Sequence, residues 1–299
     1  MQALWMLLGA FFFAAMAVCV KIASAWFNSA ELVFYRGLLS MLLLWGLARH
    51  QRLSLATRYP AMHAWRSLVG VVSLGAWFFA IAGLPLATAM TLNYMSSIWI
   101  AAFLLGGALL VWSPAAGPDA LLRQGPLTLS VLVGFAGVVL TLQPTMRADQ
   151  LFAGLAGLLS GMTAALAYLQ VMALGKLGEP ETRIVFYFSV GSALAGGLGM
   201  AVVGMSPWQW SQALWLLPVA LLATLGQLCM TRAFSQGATL VVACLQYSGI
   251  VFGVLFGLLL FGDDIPLAGW IGMALILVSG ITATALRARA IPQAPVEEH

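Results

Sequence analysis

Charge is what this sequence has least of. Only 7% of its 299 residues are charged, against 62% hydrophobic, and the mean hydropathy is +1.00. A soluble domain carries roughly 25% charged residues, so too little polar surface exists here to coat a water-soluble particle. Soluble enzymes, nucleic-acid binders and disordered chains are excluded; the chain must be solvated by lipid. Cysteine is scarce as well. Cys19, Cys229 and Cys244 all fall in apolar stretches without paired spacing, which excludes a disulfide framework or a zinc site and leaves small buried hydrophobes. His50, His63 and His299 are expected in loops or tail. There is no Gly-x-x-x-x-Gly-Lys-Ser/Thr loop, no His-Glu-x-x-His pair and no Ser/His/Asp set able to meet within a membrane. The expectation is a non-enzyme with no cofactor, no bound metal and no ATP motor. Acids are nearly absent from the apolar stretches too. Only Glu31 lies near the bilayer, so coupling rests on Glu31, on the substrate's own charge, or on nothing.

What is present is a series of long apolar runs. Ten of them, at 3–25, 31–48, 65–84, 87–112, 126–143, 151–174, 183–204, 212–234, 238–261 and 266–286, approach the roughly 20 residues a helix needs to cross the hydrocarbon. None alternates as a barrel strand would, so the runs are helices, which satisfy their own backbone groups. The first run has no positive charge ahead of it and meets its first basic residue at Lys21, so it is expected to stay as a helix rather than leave as a signal peptide. The net charge of +4 rests on 13 Lys+Arg and contains no cluster dense enough to follow a nucleic-acid backbone. It reads as topology. With both termini cytoplasmic, the inner loops and tail hold Arg49, Arg52, Arg58, Arg66, Arg123, Lys176, Arg183, Arg232, Arg287 and Arg289, and the outer side only Lys21 and Arg147. The compact chain points to a bacterial inner membrane, with a disordered cytoplasmic tail at 288–299.

The pattern recurs halfway along. Val33-Phe34-Tyr35-Arg36 returns as Val185-Phe186-Tyr187-Phe188, shifted by 152, and Leu92-Asn93-Tyr94 as Leu245-Gln246-Tyr247, shifted by 153. Ala87-Thr88 and Ala238-Thr239 open the fourth and ninth runs at nearly the same offset. The expected architecture is an all-α polytopic membrane protein of ten transmembrane helices in two five-helix repeats, 1–145 and 146–287. Because five is odd, the second repeat is inverted relative to the first, an arrangement that recurs in secondary transporters.

Polar residues within such helices are the informative ones. The fourth run carries Asn93, Tyr94, Ser96 and Ser97; the ninth carries Gln246, Tyr247 and Ser248. Asn93 and Ser97, four apart, share a helix face. The two clusters either line a central cavity or serve as interhelical hydrogen bonds. Tyr168 and Gln170 in the sixth run, with Arg232 closing the eighth, suit an inner vestibule. Gln227 could face the cavity or a neighbouring helix, and Trp5, Trp77 and Trp99 could stack on a flat substrate or pack. Near the outer end, Lys21, Glu31 and Arg36 are candidates for ion pairing or coupling. Arg36, about 7 Å deeper than Glu31, needs an anion: either Glu31 or a substrate carboxylate or phosphate. Gly157-x-x-x-Gly161 and Gly253-x-x-x-Gly257 read as packing surfaces.

The Val-Phe-Tyr-Arg segment, the Leu84-Pro85-Leu86-Ala87-Thr88-Ala89 entry to the fourth run and Cys229-Met230-Thr231-Arg232-Ala233-Phe234 before the ninth resemble the drug/metabolite transporter superfamily, in its ten-helix EamA-like branch. The resemblance covers residues 3 to 286. It implies a cavity lined by helices 1, 3, 4, 6, 8 and 9, and substrates such as amino acids, nucleotide-sugars, S-adenosylmethionine, riboflavin, choline and opine-type metallophores, many moved outward. The cavity candidates it implies are Arg36, Asn93, Tyr94, Tyr168, Gln170, Gln246 and Tyr247. The expected function is a secondary transporter moving a small zwitterionic or anionic metabolite, an amino acid or derivative with S-adenosylmethionine among them, by alternating access, with export or exchange favoured. The alternatives are an uptake carrier for a flat cofactor such as riboflavin, a passive channel, and a scaffold without flux. Expected partners are the substrate and membrane lipids, with no nucleic acid, and the chain a monomer or homodimer.

Overall fold

The computed structural model describes residues 2–96, 98–100, 102–103, 125–142, 150–235 and 245–290. All the regular structure among them is helical. The elements are α1 (Gln2–Ala23), α2 (Ser29–His50), α3 (Pro60–Gly83), α4 (Leu86–Tyr94), α5 (Gly125–Leu142), α6 (Leu151–Lys176), α7 (Glu181–Val203), a short α8 (Trp210–Ala213), α9 (Leu216–Ser235), α10 (Ser248–Phe256) running into a π-helical turn (Gly257–Phe261), and α11 (Leu267–Ala290). Among the described residues, six stretches are long and apolar enough to cross a membrane: Leu4–Ala23, Ser29–His50, Pro60–Gly83, Leu151–Lys176, Glu181–Val203 and Trp210–Ser235. Ser248–Phe261 and Leu267–Thr282 are shorter apolar helices. Leu198, Val202 and Leu259 face outward, as they would against lipid.

Local chemistry sets the ends. Asn28 and Glu31 form a capping box on α2, satisfying two otherwise orphaned N–H groups. Proline precedes or opens α3, α4 and α7 at Pro60, Pro85 and Pro180, where its missing N–H costs nothing. Gly204 and Gly262 end α7 and the π-helical turn with φ of +91° and +61°, a region costly for residues with a Cβ.

The start of α3 corrects the sequence reading. Hydropathy places it at 65, because His63 and Arg66 dilute the apolar signal, but Pro60 at the first helical position nucleates the helix five residues earlier. His63 and Arg66 are therefore buried helical residues, 1% and 3% exposed, rather than loop residues. One charge leaves the inner-loop tally.

Packing is dominated by four pairs, α2 with α7, α3 with α6, α1 with α9, and α5 with α11. Small residues allow it. A Cβ on Gly37 would stand 2.5 Å from the Ala193 amide nitrogen across the α2–α7 crossing. α4 lies between α6 and α10, with Leu92 seated on Gly157 and Gly161, and Met90 on Gly253. Both Gly-x-x-x-Gly tracks thus present glycine to neighbouring elements, Gly257 meeting Asp263. α4 stops in a turn at Met95, and α10 starts after a turn at Gln246–Tyr247. The remainder of the fourth run from 104, the start of the ninth up to 244, Arg147 and the tail from 291 lie outside the described residues.

Polar contacts gather at the two ends of the bundle. At the first, Glu31 accepts from the Ser206 amide (2.8 Å) and hydroxyl (2.6 Å). There Lys21 Nζ also donates to the Leu84 carbonyl at 2.7 Å, and the Leu86 amide to Asp263 at 2.7 Å. At the second, Glu179 accepts from Thr57 Oγ1 (3.0 Å) and Arg183 Nη1 (3.1 Å) and lies 3.2 Å from His63 Nε2. Arg183 and Tyr187 also donate to the Ser54 and Leu55 carbonyls.

Candidate functional site

Between these ends lies a small cavity of about 50 Å³. It is bounded by α1 (Phe13), α2 (Arg36), α3 (Arg66, Gly70, Ser73, Leu74, Trp77), α4 (Asn93, Tyr94), α6 (Ala164, Ala167, Tyr168), α7 (Phe188) and α9 (Gln227). Helix length explains why two arginines converge there. Arg36 lies about 10 Å along α2 from the Glu31 end, and Arg66 about 9 Å along α3 from the Glu179 end. Both guanidinium carbons pack on one ring: Arg36 Cζ is 5.1 Å and Arg66 Cζ 4.2 Å from the centre of Phe188. Phe188 occupies the place in the second half that Arg36 holds in the first, so the asymmetry visible in the sequence becomes a direct stack.

The two arginines are 2% and 3% exposed, and Nε and Nη1 of each have no hydrogen-bond partner among the described residues. No lining residue is acidic. A desolvated cation–π contact returns about 2 kcal/mol, whereas burying an ion costs several kcal/mol. One phenylalanine shared by two guanidiniums does not offset that cost. Trp77 Nε1, Tyr94 Oη and Gln227 Oε1 on the same wall are also without partners among the described residues. Apart from the Gln227 oxygen, which accepts, these unanswered groups can all donate, and the wall suits an anion.

Neighbouring contacts fix this lining. Asn93 Nδ2 donates to Ser160 Oγ at 2.8 Å, and Ser73 Oγ to the Ser160 carbonyl at 2.9 Å. The Tyr94 ring lies so close to Gly249 that no Cβ fits there. Tyr168 stacks on Phe234 with centroids 5.4 Å apart. Gly70, one turn beyond Arg66, leaves the space its guanidinium fills.

Of the residues singled out from sequence, Arg36, Asn93, Tyr94 and Tyr168 meet at this cavity, joined by Trp77 and Gln227. Gln246 instead donates to Ser96 Oγ at 3.0 Å, so the polar clusters of the fourth and ninth runs touch beside the cavity. Tyr247 is buried against Gly280, and Gln170 is outside the lining. Ser97 lies outside the described residues. Glu31 is engaged by Asn28 and Ser206 and not by Arg36, and Lys21 packs over Phe261. Arg232 lies over Trp5, 4.9 Å from the ring centre. Sequence reasoning missed Arg66 as a site residue. The available signal was Pro60, which as a first helical residue puts Arg66 in the second turn.

No protein-family profile matches the chain. Individual relatives do. The chain is 31% identical over 280 residues to the pseudopaline exporter CntI of Pseudomonas aeruginosa, covering 91% of each. It is 29% identical over 278 residues to an uncharacterized transporter of Helicobacter pylori, covering 90% of this chain and 89% of that one. A riboflavin transporter of Rhizobium johnstonii is 28% identical over 288 residues, covering 93% and 89%. One solved crystal structure superposes with a TM-score of 0.66 over 96% of this chain and 98% of the other, at 18% identity, and shares the fold. The apolar helices and these relatives define a multi-pass membrane transporter. The chain belongs to the family of transporters that includes the pseudopaline exporter.

Proposed function

We propose that the chain is a secondary transporter of the EamA-like kind, which moves a small zwitterionic or anionic metabolite across the inner membrane by alternating access. The observation that carries this reading is the pair of buried arginines, Arg36 and Arg66, stacked on Phe188 in a cavity without acids. The helix pairing supports an inverted repeat. In span numbers the pairs are two with seven, five with ten, one with eight and three with six. Exchanging the halves turns the first two pairs into themselves and the last two into each other. Such halves have two near-equivalent packings, one open to each side. The Glu179 end is then cytoplasmic, together with both termini. The relative named as a pseudopaline exporter supports export. A second reading, carriage of a flat ring compound, draws on the relative named as a riboflavin transporter and on the aromatic wall of Trp77, Tyr168 and Phe188.

The test is thermal stabilisation of the purified protein against amino acids, S-adenosylmethionine, riboflavin, nucleotides and polyamines, followed by counterflow in proteoliposomes. A ligand at 100 times its dissociation constant adds about 2.7 kcal/mol. A carboxylate-bearing compound is expected to stabilise the protein and to show saturable counterflow, both lost in Arg36→Ala. Stabilisation by polyamines instead, or parental counterflow in a well-inserted Arg36→Ala protein, overturns the reading. Non-saturating ohmic currents would make it a channel.

A further inference from the structure

The cavity contains one more cation than a simple carboxylate site requires. A single carboxylate is matched by a single guanidinium, which grips both oxygens. Here Arg36 and Arg66 come from different helices and from opposite ends of the bundle, yet both reach the ring of Phe188. They stand within electrostatic reach of one another, and like charges in a buried site repel strongly. The five acids among the described residues do not relieve them. Glu31, Glu179 and Asp263 are hydrogen-bonded at the bundle ends; Glu181 opens α7 and Asp264 precedes α11, both outside the lining. Gly70 is the site where a side chain would displace Arg66, so the second cation has a place made for it. We propose that the substrate carries two carboxylates, read separately by Arg36 and Arg66, with the Phe188 ring as the spacer between the two guanidiniums.

This inference rests on the reading of the cavity as the transport site. The neutral groups extend it. Trp77 Nε1 and Tyr94 Oη add donors for carboxylate oxygens that the arginines leave unbound, and Gln227 Oε1 supplies an acceptor in the same wall. A dicarboxylate bound here cancels the repulsion between the arginines and satisfies their orphaned N–H groups in one step. A monocarboxylate leaves one cation buried and uncompensated.

The experiment measures binding to the purified full-length protein of the straight-chain dicarboxylates from succinate to pimelate. Monocarboxylates of matched length and inorganic phosphate are the controls. At least one dicarboxylate is expected to bind about tenfold or more tighter than its matched monocarboxylate. Arg36→Gln and Arg66→Gln are each expected to abolish that preference, bringing the dicarboxylate's affinity down to that of the matched monocarboxylate in the same variant. A second readout separates charge recognition from a structural role. Each variant removes a repelling buried cation, so the ligand-free protein should melt higher, whereas loss of a structural contact would make it melt lower. Equal binding of mono- and dicarboxylates, both weakened by Arg36→Gln, overturns the two-carboxylate inference and leaves the transport site standing. Tighter binding of phosphate than of any dicarboxylate overturns it in favour of one compact dianion. If no dicarboxylate binds, the inference fails. Parental dicarboxylate binding in both variants takes down the transport-site reading as well.

Discussion

At the scale of single residues, the site depends as much on a missing side chain as on the two arginines. Arg66 lies along its own helix over Gly70, where a methyl group would collide with its Nη1 atom and press on Phe188. The arginine end is flexible, so Gly70→Ala should leave the fold intact and push the guanidinium away from the ring. Alanine also favours a helix over glycine by up to about 1 kcal/mol. The expected outcome is unchanged or slightly raised thermal stability with a drop of about tenfold in carboxylate affinity. Titration calorimetry beside a melting curve checks both; parental affinity would show that Arg66 does not need its place. Arg36 was legible in the sequence because leucines and aromatics surround it. Arg66 was not, since hydropathy registers a charge beside a loop as part of the loop, and only the helix start at Pro60 says otherwise.

At the scale of helices, close approach is what brings the arginines and Phe188 together. α2 presents Gly37 and α7 presents Ser189, Ser192 and Ala193 at their crossing, and the hydroxyls of Ser189 and Ser192 turn back onto carbonyls of their own helix. Neither hydroxyl is spent across the contact, so close packing holds it. Gly37→Val places its Cβ against backbone, which cannot yield as a flexible side chain can. The expected cost is about 1–3 kcal/mol, seen as a lower melting temperature, with weaker ligand binding because Arg36 and Phe188 move apart. A variant as stable as the parent would mean that the helices separate without penalty. The matching strings Val33–Arg36 and Val185–Phe188 fall in the two helices that cross, but the match in sequence did not say that they meet. The pairing of α3 with α6 was not legible. Adjacent runs can pack in several orders, and apolar periodicity alone does not choose among them.

At the scale of the whole molecule, carboxylates fasten both ends, Glu31 and Asp263 at one and Glu179 at the other. Burial alone would raise the Glu179 carboxyl, but hydrogen bonds with His63, Arg183 and Thr57 outweigh it and hold the group below the ordinary glutamate range. Its contribution is therefore complete above the unfolded value of about 4.3 and fades as pH falls toward the lowered native one. A hydrogen bond to a charged group is worth about 1.5–3 kcal/mol. Removing this hub with Glu179→Gln should thus favour opening at that end by roughly tenfold or more. Breaking Glu31 from Ser206 with Glu31→Gln should favour opening at the other. Both are measurable as maleimide labelling, at neutral pH, of Leu55→Cys and of Ala23→Cys, the latter fully buried at the Glu31 end, in a background with the native cysteines replaced. Glu179→Gln is expected to speed labelling at 55 and slow it at 23, and Glu31→Gln to do the reverse. The parent's melting temperature should fall as pH drops below the unfolded carboxylate value of about 4.3, and that of Glu179→Gln should fall less. Opposed changes require that the two ends compete for one bundle, which alternating access demands. Labelling that rises at both positions in both variants would show the carboxylates to be simple fold contacts, and the bundle to loosen rather than rock.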